Sequence, residues 1–210
     1  MSDFSYEYGC KNAVLEKYEW DNIWFESTEI VDACRLIYIG DSISCATRRV
    51  ATAVAQGAML IDGLGTSKSL DNPYFFDTIR LFAQQQGTRS AILFNNGLHG
   101  WHLNDETEYK ARYREMLQFL LKEFEATPIF LVLTTAVADA ERNKRVIARN
   151  NVVLELAAEN NLPIIDLYSL TDAHRDLLSA DGVHLIADGY EMLAKQIVKT
   201  VSGKLNITEE

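Results

Sequence analysis

The sequence predicts an α/β protein of the doubly wound class, in which helices cover both faces of a five-stranded parallel sheet. Two observations lead to this prediction: five short apolar runs recur along the chain, and segments of helical period separate them. Such alternation requires right-handed crossovers, and these bury both faces of a parallel sheet. The expected architecture is therefore a flavodoxin-like three-layer sandwich.

Each apolar run has the length of a buried strand and is followed by polar or glycine-containing residues. The five predicted strands cover residues 36–39, 58–61, 90–94, 129–133 and 163–165. The intervening segments are predicted as helices, with approximate bounds 46–56, 73–86, 105–124, 139–160 and 188–201.

The start and end signals of these helices support the assignment. Pro73 suits a first helical turn, while Asp105 and Glu108 resemble a capping box before the clearest apolar stripe in the chain. We expect the last helix to end near Gly203. Residues 35–203 then form one domain, preceded by an aromatic-rich extension over residues 1–34 that we expect to pack on it, and followed by a polar tail over residues 204–210.

Composition and charge limit the function classes. A formal net charge of −10 disfavours nucleic acid and anionic membrane surfaces as partners, because both would repel the protein. Three cysteines (Cys10, Cys34 and Cys45) match no metal pattern and are interpreted as reduced thiols. Acidic residues near the N-terminus and the lack of an apolar segment after them do not resemble a secretory signal, so the expected location is the cytoplasm.

A serine follows the first predicted strand, in the sequence Gly40-Asp41-Ser42-Ile43. A side chain at the carboxyl end of a parallel strand faces the crevice in which open α/β sheets bind ligands. Ser42 is therefore a candidate nucleophile, and Asp41 is expected to anchor the turn. Cys45, on the opening turn of the next helix, is interpreted as a packing residue.

A serine nucleophile needs a base, and the chain offers His184 in the sequence Asp181-Gly182-Val183-His184, just before the last helix. Asp181 can accept a hydrogen bond from Nδ1 of His184, which leaves Nε2 to take the serine proton. The other histidines, His99, His102 and His174, lack such a neighbour at this spacing.

With Gly-Asp-Ser after the first strand and Asp-x-x-His before the last helix, the chain resembles the SGNH (GDSL-type) hydrolases, the GDSL-like lipase/acylhydrolase family. The resemblance spans residues 35–201 and implies the catalytic triad Ser42, His184 and Asp181. It also implies an oxyanion hole made by the Ser42 amide, a glycine after the second strand and a side chain after the third. Gly65 best fits the glycine, with Gly63 as the alternative.

The third block departs from the family's usual Gly-x-Asn-Asp pattern, because the chain has Phe94-Asn95-Asn96-Gly97-Leu98-His99 there. It resembles a subset of the family with Asn-x-Gly-Leu-His at this place. A neutral imidazole can donate one hydrogen bond to an oxyanion, as an amide can. His99 is the favoured donor and Asn95 the next, while Asn96 stays open.

The resemblance implies a serine esterase that hydrolyses a carboxylic ester through an acyl-serine, with acetyl on a carbohydrate or similar small molecule as the leading substrate. The alternatives are a lysophospholipase or thioesterase-type acylhydrolase, an acyltransferase, and a non-catalytic carbohydrate-binding descendant. No metal or organic cofactor is implied. The sequence leaves the oligomeric state open.

Overall fold

A six-stranded sheet forms the centre of the protein in the computed structural model, which describes residues 14–16 and 18–207. The strands lie in the order β1-β3-β2-β4-β5-β6. Their bounds are β1 Asp21–Trp24, β2 Arg35–Gly40, β3 Leu60–Thr66, β4 Ala91–Phe94, β5 Ile129–Val132 and β6 Ile164–Ile165. Strands β2 to β6 are parallel, and β1 pairs antiparallel with β3 at the edge.

The five predicted strands and the doubly wound class are confirmed, but the strand count was wrong by one. The additional strand β1 comes from the N-terminal extension, and all four of its residues are exposed. An edge strand of this kind needs no apolar run, which is the signal on which the sequence prediction depended. Strand β3 also starts later and runs further than predicted, through Gly63 and Gly65.

Six α-helices separate or flank the parallel strands. They are α1 Ser42–Val54, α2 Phe75–Gln86, α3 Glu106–Glu123, α4 Ala140–Asn160, α5 Tyr168–Ala173 and α6 Ala187–Leu205. Asp105 and Asp139 cap α3 and α4, as their side chains accept hydrogen bonds from Thr107 N and Arg142 N. The predicted end near Gly203 was wrong: α6 continues to Leu205 and stops at Asn206, which takes the left-handed conformation.

Two apolar layers sandwich the sheet. Ile37 and Ile39 of β2 point into the layer formed with α2, α3 and α4, whereas Leu36 and Tyr38 point into the layer formed with α1 and α6. This alternation follows from the two-residue period of a strand, and every one of these side chains is at most 2% exposed. The sheet is therefore rigidly held on both faces, which fixes where its strand ends lie.

A buried charge cluster connects the N-terminal extension to the sheet. The fully buried carboxylate of Asp62 accepts hydrogen bonds from Arg35 at 3.0 Å, from the backbone of Glu26 at 2.7 Å and from Gln86 at 2.7 Å. Arg35 in turn donates to the carbonyl oxygens of Glu26 and Ser27. Buried charges with this many partners hold their elements in one arrangement.

Two further findings concern the described part of the chain. Cys34 and Cys45 are free thiols there, while Cys10 lies outside the described residues. None of the described helices combines the length and the apolar character needed to cross a membrane.

Candidate active site

Ser42 lies at the carboxyl end of β2, as the first residue of α1. Asp41 shapes this turn: one carboxylate oxygen accepts from Ile43 N at 2.9 Å, and the other accepts from Leu98 N at 3.2 Å. Asp41 thus caps the helix and also holds the loop that follows β4, in agreement with the expected role as a turn anchor. Ser42 is consequently presented at the helix N-terminus, where backbone amides favour developing negative charge.

The structure brings Ser42, His184 and Asp181 into one hydrogen-bonded chain. Nε2 of His184 lies 2.9 Å from Oγ of Ser42, and Nδ1 of His184 lies 2.7 Å from Oδ2 of Asp181. Ser42 and His184 are 142 residues apart in the sequence, and only the sheet topology makes them neighbours. Both distances lie within hydrogen-bond reach for a nucleophile, its base and the group that orients the base.

The loop that carries His184 is organised by Asp181. Besides the imidazole, the carboxylate accepts hydrogen bonds from Val183 N, His184 N and the Ser179 hydroxyl, each at 2.8 to 2.9 Å. Burial raises the pKa of Asp181, but these hydrogen bonds outweigh it and hold the pKa well below its usual range. Asp181 is thus an ionised acceptor that fixes the orientation of the imidazole.

Gly65 does not offer its amide to the crevice. In β3, Leu60 N donates to Cys34 O on the β2 side, whereas Ser67 N donates to Trp20 O on the β1 side. Because backbone amides alternate along a strand, the odd-numbered Gly65 directs its N–H to its β1 partner Asn22. The strand pairing thus directs the Gly65 amide to β1, and the assignment of Gly65 as an oxyanion donor stays a prediction.

Gly63 has the same parity and the same strand partner, so it does not replace Gly65. Both glycines instead accommodate the close approach of α1. A Cβ atom at Gly63 would lie 2.3 Å from Arg48, and one at Gly65 would lie 2.0 Å from Cys45 Sγ. Cys45 is thus a packing residue of the α1–β3 contact, as interpreted from the sequence.

The amide side chains after β4 are engaged with protein acceptors. Asn95 Nδ2 donates to Val132 O at 2.7 Å and to Thr134 Oγ1 at 3.1 Å, which uses both of its protons. Asn96 Nδ2 donates to Lys68 O at 3.2 Å. In this arrangement both Nδ2 protons of Asn95 are engaged, and its role as the second-choice oxyanion donor stays a prediction.

His99 is buried and contacts the N-terminal extension. Its Nδ1 lies 3.0 Å from a carboxylate oxygen of Glu16, with only 4% and 5% of the two side chains exposed. The ring also meets Trp20 edge-on, with the ring centroids 5.9 Å apart. A histidine that donates its Nδ1 proton to a carboxylate can donate from Nε2 only as an imidazolium, a charge that the carboxylate stabilises.

Glu16 and Trp20 are the residues that sequence reasoning missed. The aromatic content of the extension indicated packing, but neither residue carries a motif that would connect it to a loop about eighty positions away. The remaining histidines lie elsewhere in the fold. His102 contacts Asp71 at 2.9 Å, and His174 ends α5.

Comparison with known proteins shows which solved structures have a similar fold. No family model matches the chain, and no curated protein matches it. Solved structures do: the acetyl xylan esterase AlAXEase has 19% identity and a TM-score of 0.63, covering 80% of this chain and 99% of its own. A lipase/acylhydrolase from Enterococcus faecalis has 20% identity and a TM-score of 0.59, covering 84% of this chain and 99% of its own.

A GDSL-like lipase from Bacteroides thetaiotaomicron is similar as well, with 15% identity and a TM-score of 0.63, covering 82% of this chain and 88% of its own. At these identities the likeness concerns the fold. The chain has the SGNH-hydrolase fold that these acylhydrolases and esterases share.

Proposed function

We propose that the protein is a serine esterase that hydrolyses carboxylic esters through an acyl-serine intermediate. The single observation that carries the proposal is the chain of hydrogen bonds from Ser42 through His184 to Asp181, at 2.9 and 2.7 Å. A serine aligned with a base, itself aligned with an ionised carboxylate, is the arrangement that activates a hydroxyl for acyl transfer.

In the first half of the reaction, Oγ of Ser42 attacks the carbonyl carbon of the ester while Nε2 of His184 takes the hydroxyl proton. The resulting imidazolium is stabilised by Asp181. As the tetrahedral intermediate collapses, the bond to the alcohol oxygen breaks, and His184 returns the proton to that oxygen. The alcohol leaves, and the acyl group stays on Ser42.

In the second half, His184 takes a proton from water, which attacks the acyl carbon, and the carboxylic acid is released as Ser42 regains its proton. The proposed oxyanion donors are the backbone amide of Ser42 at the start of α1 and the ring of His99, whose Nδ1 contacts Glu16. Removal of one such donor typically costs about 3 kcal/mol of transition-state stabilisation.

For the substrate we infer a small acyl group, with acetyl on a carbohydrate or a similar small molecule as the leading choice. The similarity to a protein named as an acetyl xylan esterase supports this class. The similarity to a protein named as a lipase/acylhydrolase supports longer acyl chains as the second candidate. A series of p-nitrophenyl esters of increasing chain length separates the two, since a preference for long chains contradicts the acetyl assignment.

A fluorophosphonate tests the mechanism directly, because it reacts with an activated serine. We expect peptide mass mapping to find the label on Ser42 in the wild-type protein and no label on that peptide in Ser42→Ala. In His184→Ala the labelling rate should fall by a factor of about 1,000 or more, because the base is gone. Labelling of Ser42 at the wild-type rate without His184 would refute the triad.

His174→Ala is the matched control, since this histidine lies at the end of α5 and belongs to no contact of the site. It should label at the wild-type rate. Circular dichroism of each variant establishes that a lost label reflects chemistry and not unfolding.

A further inference from the structure

Trp20, in the N-terminal extension, lies just beyond the carboxyl end of β3. It is therefore at the same end of the parallel strands as Ser42. Its backbone is fastened to Ser67: Trp20 N donates to Ser67 Oγ at 2.8 Å, and Ser67 N donates to Trp20 O at 3.1 Å. The Ser67 hydroxyl donates in turn to the carboxylate of Glu19 at 2.8 Å. The position of the indole is therefore built into the fold and does not depend on a loose tail.

The indole ring lies beside the turn that carries Ser42. The ring edge lies 3.5 Å from the point where a Cβ of Gly65 would stand, and the carbonyl oxygen of Asp41 lies 3.5 Å from that same point. On its other side the ring meets His99, which follows β4. Trp20 thus bridges the ends of β3 and β4 across β2, next to the nucleophile.

His184 approaches Ser42 from the opposite direction. Its loop is joined to the segment after β5, where Ala138 N donates to Gly182 O at 2.8 Å. In the sheet order, β3 and β5 lie on opposite sides of β2. The base and the indole therefore flank Ser42 from two sides.

The chemistry of the reaction indicates which part of the ester lies on each side of Ser42. The departing alcohol oxygen must receive its proton from His184, so the alcohol lies on the β5 side. Beneath the turn, the cavity that touches Asp41 and Asn95 has a volume of about 10 Å³, the space of a single water. The acyl substituent projects from the carbonyl carbon away from the departing alcohol, which directs it to the β3 side, where it meets the indole.

We propose that Trp20 determines the acyl specificity of this site, by closing the acyl side of Ser42 to substituents larger than a few carbons. This inference rests on the proposed esterase function and adds a residue from outside the catalytic domain to the substrate site. A half-buried aromatic wall discriminates by size, because an acyl chain that overlaps it must displace a ring that contacts His99 and whose backbone is bonded to Ser67.

The test compares the ratio of kcat/KM for p-nitrophenyl hexanoate to that for p-nitrophenyl acetate in the wild-type protein, Trp20→Ala and Trp20→Phe. We expect Trp20→Ala to raise the ratio by at least about tenfold, since each methylene accommodated in an apolar pocket changes specificity by this order. Trp20→Phe, which keeps a ring and disturbs the fold least, should give an intermediate ratio.

Trp24→Ala is the matched control. This tryptophan belongs to the same extension, but it pairs with Gly63 in the middle of β3 and lies under Arg49, away from the carboxyl ends of β2 and β3. It should leave the ratio unchanged.

Three results would overturn the inference. An unchanged ratio in both Trp20 variants shows that the indole does not limit the acyl group. An equal rise in the rates for acetate and hexanoate shows that the residue only restricts access to Ser42. A wild-type protein that hydrolyses neither ester and takes no fluorophosphonate label contradicts the proposed function, and the inference with it.

Discussion

At the scale of single residues, Asp181 has the most closely determined environment in the candidate site. Four donors converge on its carboxylate: the His184 ring, two backbone amides and the Ser179 hydroxyl. The sequence predicted the partnership of Asp181 with His184 from their spacing. It could not predict the other donors, because a turn around Gly182 brings them together, with φ at 72°.

The lowered pKa of Asp181 predicts how Asp181→Asn changes stability with pH. In the native protein the carboxyl binds a proton less readily than in the unfolded chain, so its stabilisation is fully present above the ordinary value of about 3.9 and is lost as the pH falls towards the lowered native pKa. The measurement is urea unfolding of His184→Ala compared with the double variant that also carries Asp181→Asn. Because neither protein has His184, titration of this histidine does not contribute to the difference in stability. We expect Asp181→Asn to cost the same stability at pH 7 and pH 5.

At pH 3 Asp181→Asn should cost less stability. In the protein that keeps Asp181, protonation of this carboxyl group then stabilises the unfolded chain, so that protein loses part of its advantage. A cost at pH 3 equal to that at pH 7 would show that the native and unfolded pKa values do not differ.

At the scale of elements, the contact between β3 and α1 determines the position of the helix that begins at Ser42. The sequence analysis ended the second strand at residue 61, where its apolar run stops, and therefore placed Gly63 and Gly65 after the strand. The structure uses them as strand residues for a packing reason: the side chains of Arg48 and Cys45 occupy the space where Cβ atoms would be. Local propensity was overridden by a tertiary contact.

This packing predicts that removal of the Cys45 side chain rescues the stability lost by a substitution at Gly65. Gly65→Ala should destabilise the protein by about 1 to 3 kcal/mol, because the new methyl group would lie 2.0 Å from Cys45 Sγ, while its other neighbours are at an ordinary 3.5 Å. In a Cys45→Ala background the same substitution should cost less than 1 kcal/mol. Denaturant unfolding of the double-mutant cycle measures the coupling.

Equal costs of Gly65→Ala in the two backgrounds would mean that the sulfur atom is not what excludes a side chain from this position. Gly87→Ala is a poor control, because φ is 81° there. Gly203→Ala is the appropriate control, because nothing lies within 4 Å of the position that a Cβ atom of Gly203 would take.

At the scale of the whole molecule, the N-terminal extension is joined to the sheet and to the loop that follows β4. It adds β1 to the sheet, is fastened through Asp62 and Arg35, and delivers Glu16 to a histidine 83 positions away. The contact between the buried side chains of Glu16 and His99 would be costly to break from one side only, because the remaining polar group would lose its partner.

Under the proposed function, Glu16 is a positioning residue that acts through His99. Glu16→Gln replaces the carboxylate that contacts Nδ1 of His99, so we expect kcat for acetyl esters to fall by about tenfold or more with KM changed less than twofold. Glu29→Gln, on an exposed residue of the same extension, should change neither constant. A rise in KM at constant kcat would instead indicate a role in binding the substrate.

By itself, the sequence determined the doubly wound fold, the strand-to-helix turn at Ser42 and the pairing of Asp181 with His184. These depend on short-range patterns: apolar period, turn residues and a spacing of three. The tertiary structure alone decided the contacts near the ends of the strands, namely an engaged Asn95, a Gly65 amide directed to β1, and the contacts of Glu16 and Trp20 with His99. Contacts of this kind are set by strand parity and by packing between distant segments, neither of which leaves a periodic trace in the chain.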